Sequence, residues 1–113
     1  MKPRKAQSVA SSLKRKGFRP QERDHTFYRF FAYGRRTPIL TKISHGASEC
    51  SRSLLSQMAK QLHLSSDEFA RMLNCPMKSE EYVRLLCERG ILDPEEILQT
   101  AIHEVASTQE EDH

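Results

Sequence analysis

Apolar residues at the start of the chain recur with the period of a helix. Ala6, Val9, Ala10 and Leu13 fall at i, i+3, i+4 and i+7, which predicts an amphipathic helix over residues 4–16. Gly17 follows at the position where a glycine commonly ends a helix. The outer face of this helix is predicted to carry Lys5, Ser8, Ser12, Arg15 and Lys16.

Strand signals follow at residues 18–22, 25–32 and 37–43, where aromatic and β-branched residues are frequent. Pro20 removes a backbone donor, so the first strand is predicted to lie at an edge of the sheet. Side chains alternate along a strand, so the second strand has a core face beneath the helices and an open face. We predict Tyr28 and Phe30 on the core face, and on the open face His25, Phe27, Arg29 and Phe31.

Helical spacing returns in the second half of the chain. An apolar stripe predicts a helix over about residues 51–63, and a capping box over Ser65–Glu68 opens a short helix after it. A further helix is predicted over Ser79–Gly90. Asp93-Pro94 then places an N-cap and an N1 proline before a last helix that runs to about Ala106. The order of elements indicates an α+β fold.

The chain is predicted to divide into a domain over residues 1–74, a helical extension over 75–106 and a disordered tail over 107–113. Two helices cannot bury their apolar stripes against each other alone, so the extension must dock on the first domain or on another chain. Docking beside the second helix, as a brace, is favoured over docking across the open face. The stripes consist of Tyr82, Leu85 and Leu86, and of Ile97, Leu98, Ala101, Ile102 and Val105.

Charge is divided unevenly between the two halves. Residues 1–60 hold fourteen Lys and Arg against three acidic residues, a net charge of +11. Residues 61–113 hold four against twelve, a net charge of −8, and the two halves give the +3 of the whole chain. A basic half of this density is typical of a protein that binds a phosphate backbone, with a merely solvated charged surface as the alternative.

A histidine, arginines and aromatic rings are interleaved through the predicted strands. Arginine binds phosphate with a bidentate fork, and aromatic rings stack on unpaired bases. Because histidine transfers protons near neutral pH, His25 is the candidate catalytic residue of an RNA-cleaving site. The alternative is a histidine at the strand edge that bonds only to backbone or water. Asp24 is a doubtful partner, since adjacent residues in a strand point to opposite faces.

Nine further residues are candidates for RNA contact. Phe31 is predicted to be covered by the C-terminal helices, whereas Phe27 is left open between stacking on a base and being covered. A loop histidine without a role is the alternative for His45. The candidates are Arg15, Lys16, Arg23, Phe27, Arg29, Arg35, Arg36, Lys42 and His45.

Cysteine spacing and hydropathy narrow the class of protein. Cys50, Cys75 and Cys87 are odd in number and widely spaced, which fits neither a disulfide framework nor a zinc site. No metal or other cofactor is predicted. No apolar run approaches the length of a membrane span or a signal segment, so we expect a cytoplasmic protein with free thiols and no membrane partner.

Five short motifs, in their order and spacing, resemble the HicA (YcfA-like) family over about residues 8–73. They are Leu13-Lys14-Arg15-Lys16-Gly17-Phe18, His25-x-x-Tyr28, Gly34-Arg35-Arg36-Thr37, His45-Gly46 and Leu54-Leu55-Ser56-Gln57-Met58. The resemblance implies a double-stranded-RNA-binding-domain-like α-β-β-β-α core. It also implies an mRNA interferase toxin, neutralised by a HicB-like antitoxin, with its catalytic histidine at His25. Arg23-Asp24 stands here where the family has a Gly-Ser pair.

The predicted function is RNA binding, with metal-independent endoribonuclease activity. One alternative is an RNA-binding module without catalysis, which steep salt dependence without cleavage would indicate. The other is a protein-interaction domain whose basic face meets an acidic partner or the chain's own acidic extension. A stable complex with a protein, together with indifference to nucleic acid, would indicate the latter.

Overall fold

The computed structural model describes residues 2–74, 76–100 and 102. Nine elements run in the order β1 (Arg4–Lys5), α1 (Ala6–Arg15), β2 (Phe18–Glu22), β3 (Thr26–Ala32), β4 (Arg35–Ile43), β5 (Glu49–Cys50), α2 (Arg52–Gln61), α3 (Ser66–Leu73) and α4 (Ser79–Glu88). Residues 94–100 are also helical and form α5. The α+β class is therefore confirmed. The predicted end of the last helix and the tail over 107–113 lie outside the described residues.

A three-stranded antiparallel sheet has β3 at its centre, between β2 and β4. The predicted division of β3 into two faces is confirmed for the residues of the strand. Tyr28 and Phe30 are buried beneath the helices, whereas Phe27, Arg29 and Phe31 are only partly buried on the open face. The edge position predicted for the strand with Pro20 is also confirmed.

The start of the chain differs from the helix predicted over residues 4–16. Arg4 and Lys5 instead form β1, which pairs antiparallel with β5, and α1 begins at Ala6. The Ala6 amide donates to the Ser48 carbonyl at 3.1 Å, which extends this connection. Two-residue strands show no periodicity, so apolar spacing alone could not reveal the pairing.

Two residues predicted on the outer face of α1 are buried instead. Ser12 donates its hydroxyl to the Leu73 carbonyl at 3.1 Å, in the contact between α1 and α3. Lys16, at the C-terminal cap, is only 6% exposed. The prediction was wrong at both positions, and at Ser12 the reason is that α3 covers a side of α1 that the helix alone would leave to solvent.

The β3–β4 hairpin is tighter than predicted, since β4 begins at Arg35 rather than Thr37. Tyr33 and Gly34 both have positive φ, 52° and 81°, as the central residues of a type I′ turn require. At the other end, β3 begins at Thr26, one residue after the predicted His25. The His25 carbonyl instead accepts from the Arg23 amide at 3.0 Å within the connecting turn.

A β-bulge interrupts the β3–β4 ladder at Pro38. Arg29 pairs with Leu40, but Phe31 pairs with Arg36, so the register shifts between them. Pro38 has no amide to donate and is tolerated where a bulge interrupts an edge strand. Thr37 closes the bulge by donating its hydroxyl to the Phe30 carbonyl at 2.7 Å. The shift aligns Arg36 with the open face beside Phe31.

Helix α4 packs against the core face of the sheet. The Tyr82 ring lies 4.8 Å from the Phe30 ring and 6.0 Å from the Phe18 ring, between centroids. Its hydroxyl donates to the Leu62 carbonyl at 2.8 Å, at the end of α2. The described part of the extension is therefore a brace beside α2, the arrangement that the sequence favours, and its buried side chains belong to the same core cluster as those of α1–α3.

The last described helix is only partly docked. Ile97 is buried, but Leu98 and Ile102 are 61% and 59% exposed. The predicted stripe of the last helix is therefore not buried at Leu98 and Ile102, and its other members Ala101 and Val105 lie outside the described residues. An ion pair of 3.1 Å joins Glu96 to Arg35 at the hairpin tip.

The predicted capping box over Ser65–Glu68 is confirmed, with both reciprocal hydrogen bonds present. Glu68 also accepts a hydrogen bond from Arg89, which binds the His63 carbonyl as well and so ties the end of α4 to α3. The Arg89 guanidinium, followed by the Ser65 amide, lowers the pKa of Glu68 from its ordinary 4.5 to about 2.

We expect Glu68→Gln to lower the free energy of unfolding at pH 7, because it removes the charge that pairs with Arg89. The loss should be only about 1 kcal/mol, since Arg89 is more than a third exposed and water screens the pair. The Glu68 pKa is lower in the folded chain, so its stabilisation is present above about pH 4.5 and is lost as the pH falls through about 2. Urea unfolding at pH 7 and pH 2.5 measures this, with Glu95→Gln as a matched control on an exposed carboxylate. An equal loss at both pH values would contradict the electrostatic origin.

Candidate nucleic-acid interface

Cationic and aromatic side chains alternate across the open face of the sheet. Register pairs set Arg19 opposite Arg29, Phe27 opposite Lys42, and Phe31 opposite Arg36. Since paired residues point to the same face, all three strands contribute to one surface. The fold therefore brings together four of the predicted contact residues, which are Phe27, Arg29, Arg36 and Lys42. We call this surface, with Arg19 and Phe31 added, the open face.

Arg19 is a site residue that the sequence analysis missed. Its guanidinium carbon lies 4.1 Å from the centroid of the Phe31 ring, a cation–π contact. The Arg19 side chain on β2 therefore covers the Phe31 ring, a contact that the sequence analysis did not predict, and Phe31 also lines a groove with Ser79, Glu80 and Val83 of α4. The available signal was alternation, because buried Phe18 directly precedes Arg19 and so turns Arg19 toward the opposite face.

Arg29 is held in place at the centre of the open face. Its Nη1 donates to the Thr37 carbonyl at 2.9 Å, across the bulge. A shallow groove of about 330 Å³ runs beside it, lined by Arg19, Pro20, Gln21, Arg23, Arg29, Phe31 and Arg36. Arg23, predicted from the sequence, thus borders the same surface from the β2–β3 turn. Among the described residues, none of these arginines forms an ion pair with a carboxylate.

Three predicted contact residues lie away from the open face. Arg35 pairs with Ala32, on the core side of the hairpin tip, and forms the ion pair with Glu96. Lys16 is buried at the end of α1. Arg15 donates to the Ser12 hydroxyl and lines a separate groove of about 700 Å³ along α1 with Arg4 and Lys5.

Two histidines meet at one end of the sheet. The rings of His25 and His45 lie 6.4 Å apart between centroids, edge to face. His45 Nε2 is 2.9 Å from Glu22 Oε2, and Glu22 Oε1 accepts a hydrogen bond of 2.9 Å from the Thr26 hydroxyl. We call His25, His45 and Glu22 the histidine corner. The sequence predicted the two histidines separately, but not their contact or the role of Glu22.

The doubt about Asp24 as a partner of the His25 ring agrees with the geometry. Asp24 Oδ1 accepts from the His25 backbone amide at 3.1 Å. His25 Nδ1 is buried without a hydrogen-bond partner among the described residues. A buried polar atom without a partner is rare in folded proteins.

The described cysteines are free, with Cys50 buried and Cys87 partly buried. Burial, followed by Glu49 and Asp93 respectively, raises the pKa of each thiol. No group of three or more His, Cys, Asp or Glu side chains in the described part of the chain is arranged to hold a metal ion. Nor is any helix in that part both long and apolar enough to cross a membrane.

Comparisons of the chain with protein-family models, with curated proteins and with solved structures found no match. Membership of the HicA family therefore stays a prediction that rests on the five motifs.

Proposed function

We propose that this protein binds single-stranded RNA along the open face of its sheet. The observation that carries the proposal is the register of the three strands, which aligns Arg19, Arg29, Arg36 and Lys42 on one surface without carboxylate partners among the described residues. Such a surface attracts a phosphate backbone, and the partly exposed Phe27 offers a ring on which a base can stack.

Two of the open-face arginines are held in position by neighbouring groups, which supports this proposal. The Thr37 carbonyl orients Arg29, and the Phe31 ring supports the Arg19 guanidinium. An arginine that is already ordered loses less side-chain entropy when it binds a phosphate. The HicA resemblance implies a double-stranded-RNA-binding-domain-like fold, in which a helix, three strands and a helix follow one another. In this chain α1, β2–β4 and α2 occur in that order.

The competing function is a docking site for an acidic protein. In the described part of the chain's own acidic extension, α4 packs on the core face of the sheet, where Tyr82 contacts Phe30. Helix α4 therefore does not occupy the open face. We favour RNA over an acidic protein because aromatic rings and arginines alternate on the open face, and unpaired bases use both. A HicB-like antitoxin is a partner that only the family resemblance implies.

Salt dependence tests the binding proposal. Four phosphate contacts predict that log K falls linearly with log salt with a slope of about −3, at roughly 0.7 per contact for a single strand. The measurement is fluorescence anisotropy of a labelled single-stranded RNA with the full chain between 50 mM and 300 mM salt, about the range in which such slopes are measured. Binding that does not change with salt, or no binding at all, would contradict the proposal.

A second candidate function is cleavage of the bound RNA with His25 as acid or base. His25 directly precedes β3, one residue beyond the pair that joins Thr26 to Ile43, so it lies at the end of the binding surface. A histidine transfers a proton without a metal ion, so this cleavage would be metal-independent. Incubation of the full chain with RNA in the presence of a chelator tests this activity. A metal-independent product that His25→Ala abolishes supports it, and unchanged cleavage by folded His25→Ala contradicts it.

A further inference from the structure

We propose that His45 is a second proton-transfer residue of the RNA-cleaving site and that Glu22 positions it. This inference rests on the proposed RNA binding and adds to it a complete acid–base pair. The histidine corner meets three requirements, which are two imidazoles close together, a carboxylate that orients one of them, and a partly exposed position at the end of the sheet.

Distance is the first requirement. The His25 and His45 rings are 6.4 Å apart between centroids and meet edge to face. Rings at this separation leave room for one phosphate to accept a hydrogen bond of about 2.8 Å from each, through His25 Nε2 and His45 Nδ1, since His25 Nδ1 is buried and His45 Nε2 is bonded to Glu22. Two imidazoles on one phosphate provide both proton transfers that cleavage of a phosphodiester by a neighbouring hydroxyl requires.

Orientation is the second requirement. Glu22 Oε2 bonds to His45 Nε2, and Oε1 accepts from the Thr26 hydroxyl, so both carboxylate oxygens are anchored. Thr26 is the register partner of Glu22 in the β2–β3 ladder, which fixes the carboxylate on the sheet. A carboxylate that holds one imidazole nitrogen sets the ring's direction and stabilises the imidazolium when it forms.

Access is the third requirement. The His45 side chain is about half exposed. Phe27 and Lys42, the last open-face pair, are next to the Thr26–Ile43 pair that ends the sheet beside His25. Glu22 and Thr26 point to the helix side of the sheet, as their buried register neighbour Ile43 does, so RNA that follows the arginines along the open face passes around the end of the sheet to reach the histidine corner.

The reaction balances without any added reagent. The 2′-oxygen attacks phosphorus, the O2′–P bond forms, and the P–O5′ bond breaks. One neutral imidazole takes the proton of the 2′-hydroxyl, while the other, protonated, gives a proton to O5′. The products carry a 2′,3′-cyclic phosphate and a 5′-hydroxyl, and exchange of protons with water restores both rings.

The test measures single-turnover cleavage of a labelled single-stranded RNA by the full chain, in a chelator, with binding measured on the same samples. We expect His25→Gln and His45→Gln each to slow cleavage by about 10²-fold or more, with little change in RNA affinity. DNA of the same sequence, which lacks the attacking hydroxyl, should bind without being cleaved. His63→Asn is the matched control, because His63 has a left-handed backbone, with φ of 62°, that asparagine also adopts.

Glu22 needs a readout that a purely structural role would not change. We expect Glu22→Gln to lower the rate at which bound RNA is cleaved about tenfold, with KM unchanged. In a protein that already carries His45→Gln, the same substitution should have no further effect on this rate. A further tenfold decrease in that background would overturn the positioning role of Glu22.

The outcomes separate this inference from the binding proposal. RNA binding without cleavage, cleavage at the wild-type rate by His45→Gln, or products that end in a 5′-phosphate would each overturn the inference and leave RNA binding intact. Failure to bind RNA would overturn both proposals.

Discussion

Tyr82→Ala is expected to lower the free energy of unfolding by about 3–5 kcal/mol, the cost of removing a large aromatic side chain from a core. The Tyr82 side chain is fully buried and touches three parts of the fold through Phe18, Phe30 and Leu62. A decrease of this size is a large share of the stability of a small domain. The variant should therefore be largely unfolded at moderate urea concentrations.

Urea unfolding followed by circular dichroism measures this effect. Tyr82→Phe is the matched control, since it keeps the ring and removes only the hydroxyl that donates to the Leu62 carbonyl, at a cost of about 1 kcal/mol. A chain that ends after Asn74 lacks Tyr82 and is expected not to fold. A cooperatively folded truncation, or a Tyr82→Ala variant as stable as the natural chain, would contradict the placement of α4 in the core.

Much of this architecture could be predicted because apolar spacing decides it. Strand β2 has the predicted bounds, and the two faces of β3 follow from simple alternation. The capping box over Ser65–Glu68 is a local signal, and it appears as predicted. Each of these features depends on residues close in sequence, so no tertiary contact was needed to infer it.

Features that depend on distant contacts escaped the sequence analysis. The pairing of β1 with β5 joins Arg4 to Cys50, and the burial of Ser12 depends on the packing of α3 against α1, where its hydroxyl donates to the Leu73 carbonyl. The same limit applies to the site. The contact of His45 with Glu22 joins a loop to a strand across 23 positions. Both histidines could be predicted as candidate site residues from their residue type, but their contact is visible only in the fold.

Removing three cations from the open face is expected to weaken RNA binding about 10²-fold or more, because each hydrogen bond from a cation to a phosphate contributes roughly 1–1.5 kcal/mol. The variant is Arg19→Ala, Arg36→Ala and Lys42→Ala combined. Its salt slope should fall by about 2, since each phosphate that a cation neutralises contributes roughly 0.7. The three side chains are exposed, so the change should affect stability little.

A charge-matched control distinguishes binding at the open face from a general effect of net charge. Lys14→Ala, Lys60→Ala and Arg84→Ala combined removes the same net charge from exposed positions on α1, α2 and α4. If net charge alone attracted RNA, both triple variants would bind RNA equally weakly. The open-face account predicts that the control retains affinity within about twofold, and fluorescence anisotropy with the same labelled RNA compares the two.

The most direct test of the open face is a map of the residues that respond to RNA. Backbone amide shifts of the isotope-labelled full chain are followed by NMR while single-stranded RNA is added. We predict the largest changes on β2, β3 and β4, at Arg19, Phe27 and Lys42. Changes concentrated in the groove along α1 at Arg4 and Arg15, with the sheet unaffected, would contradict the proposed binding surface.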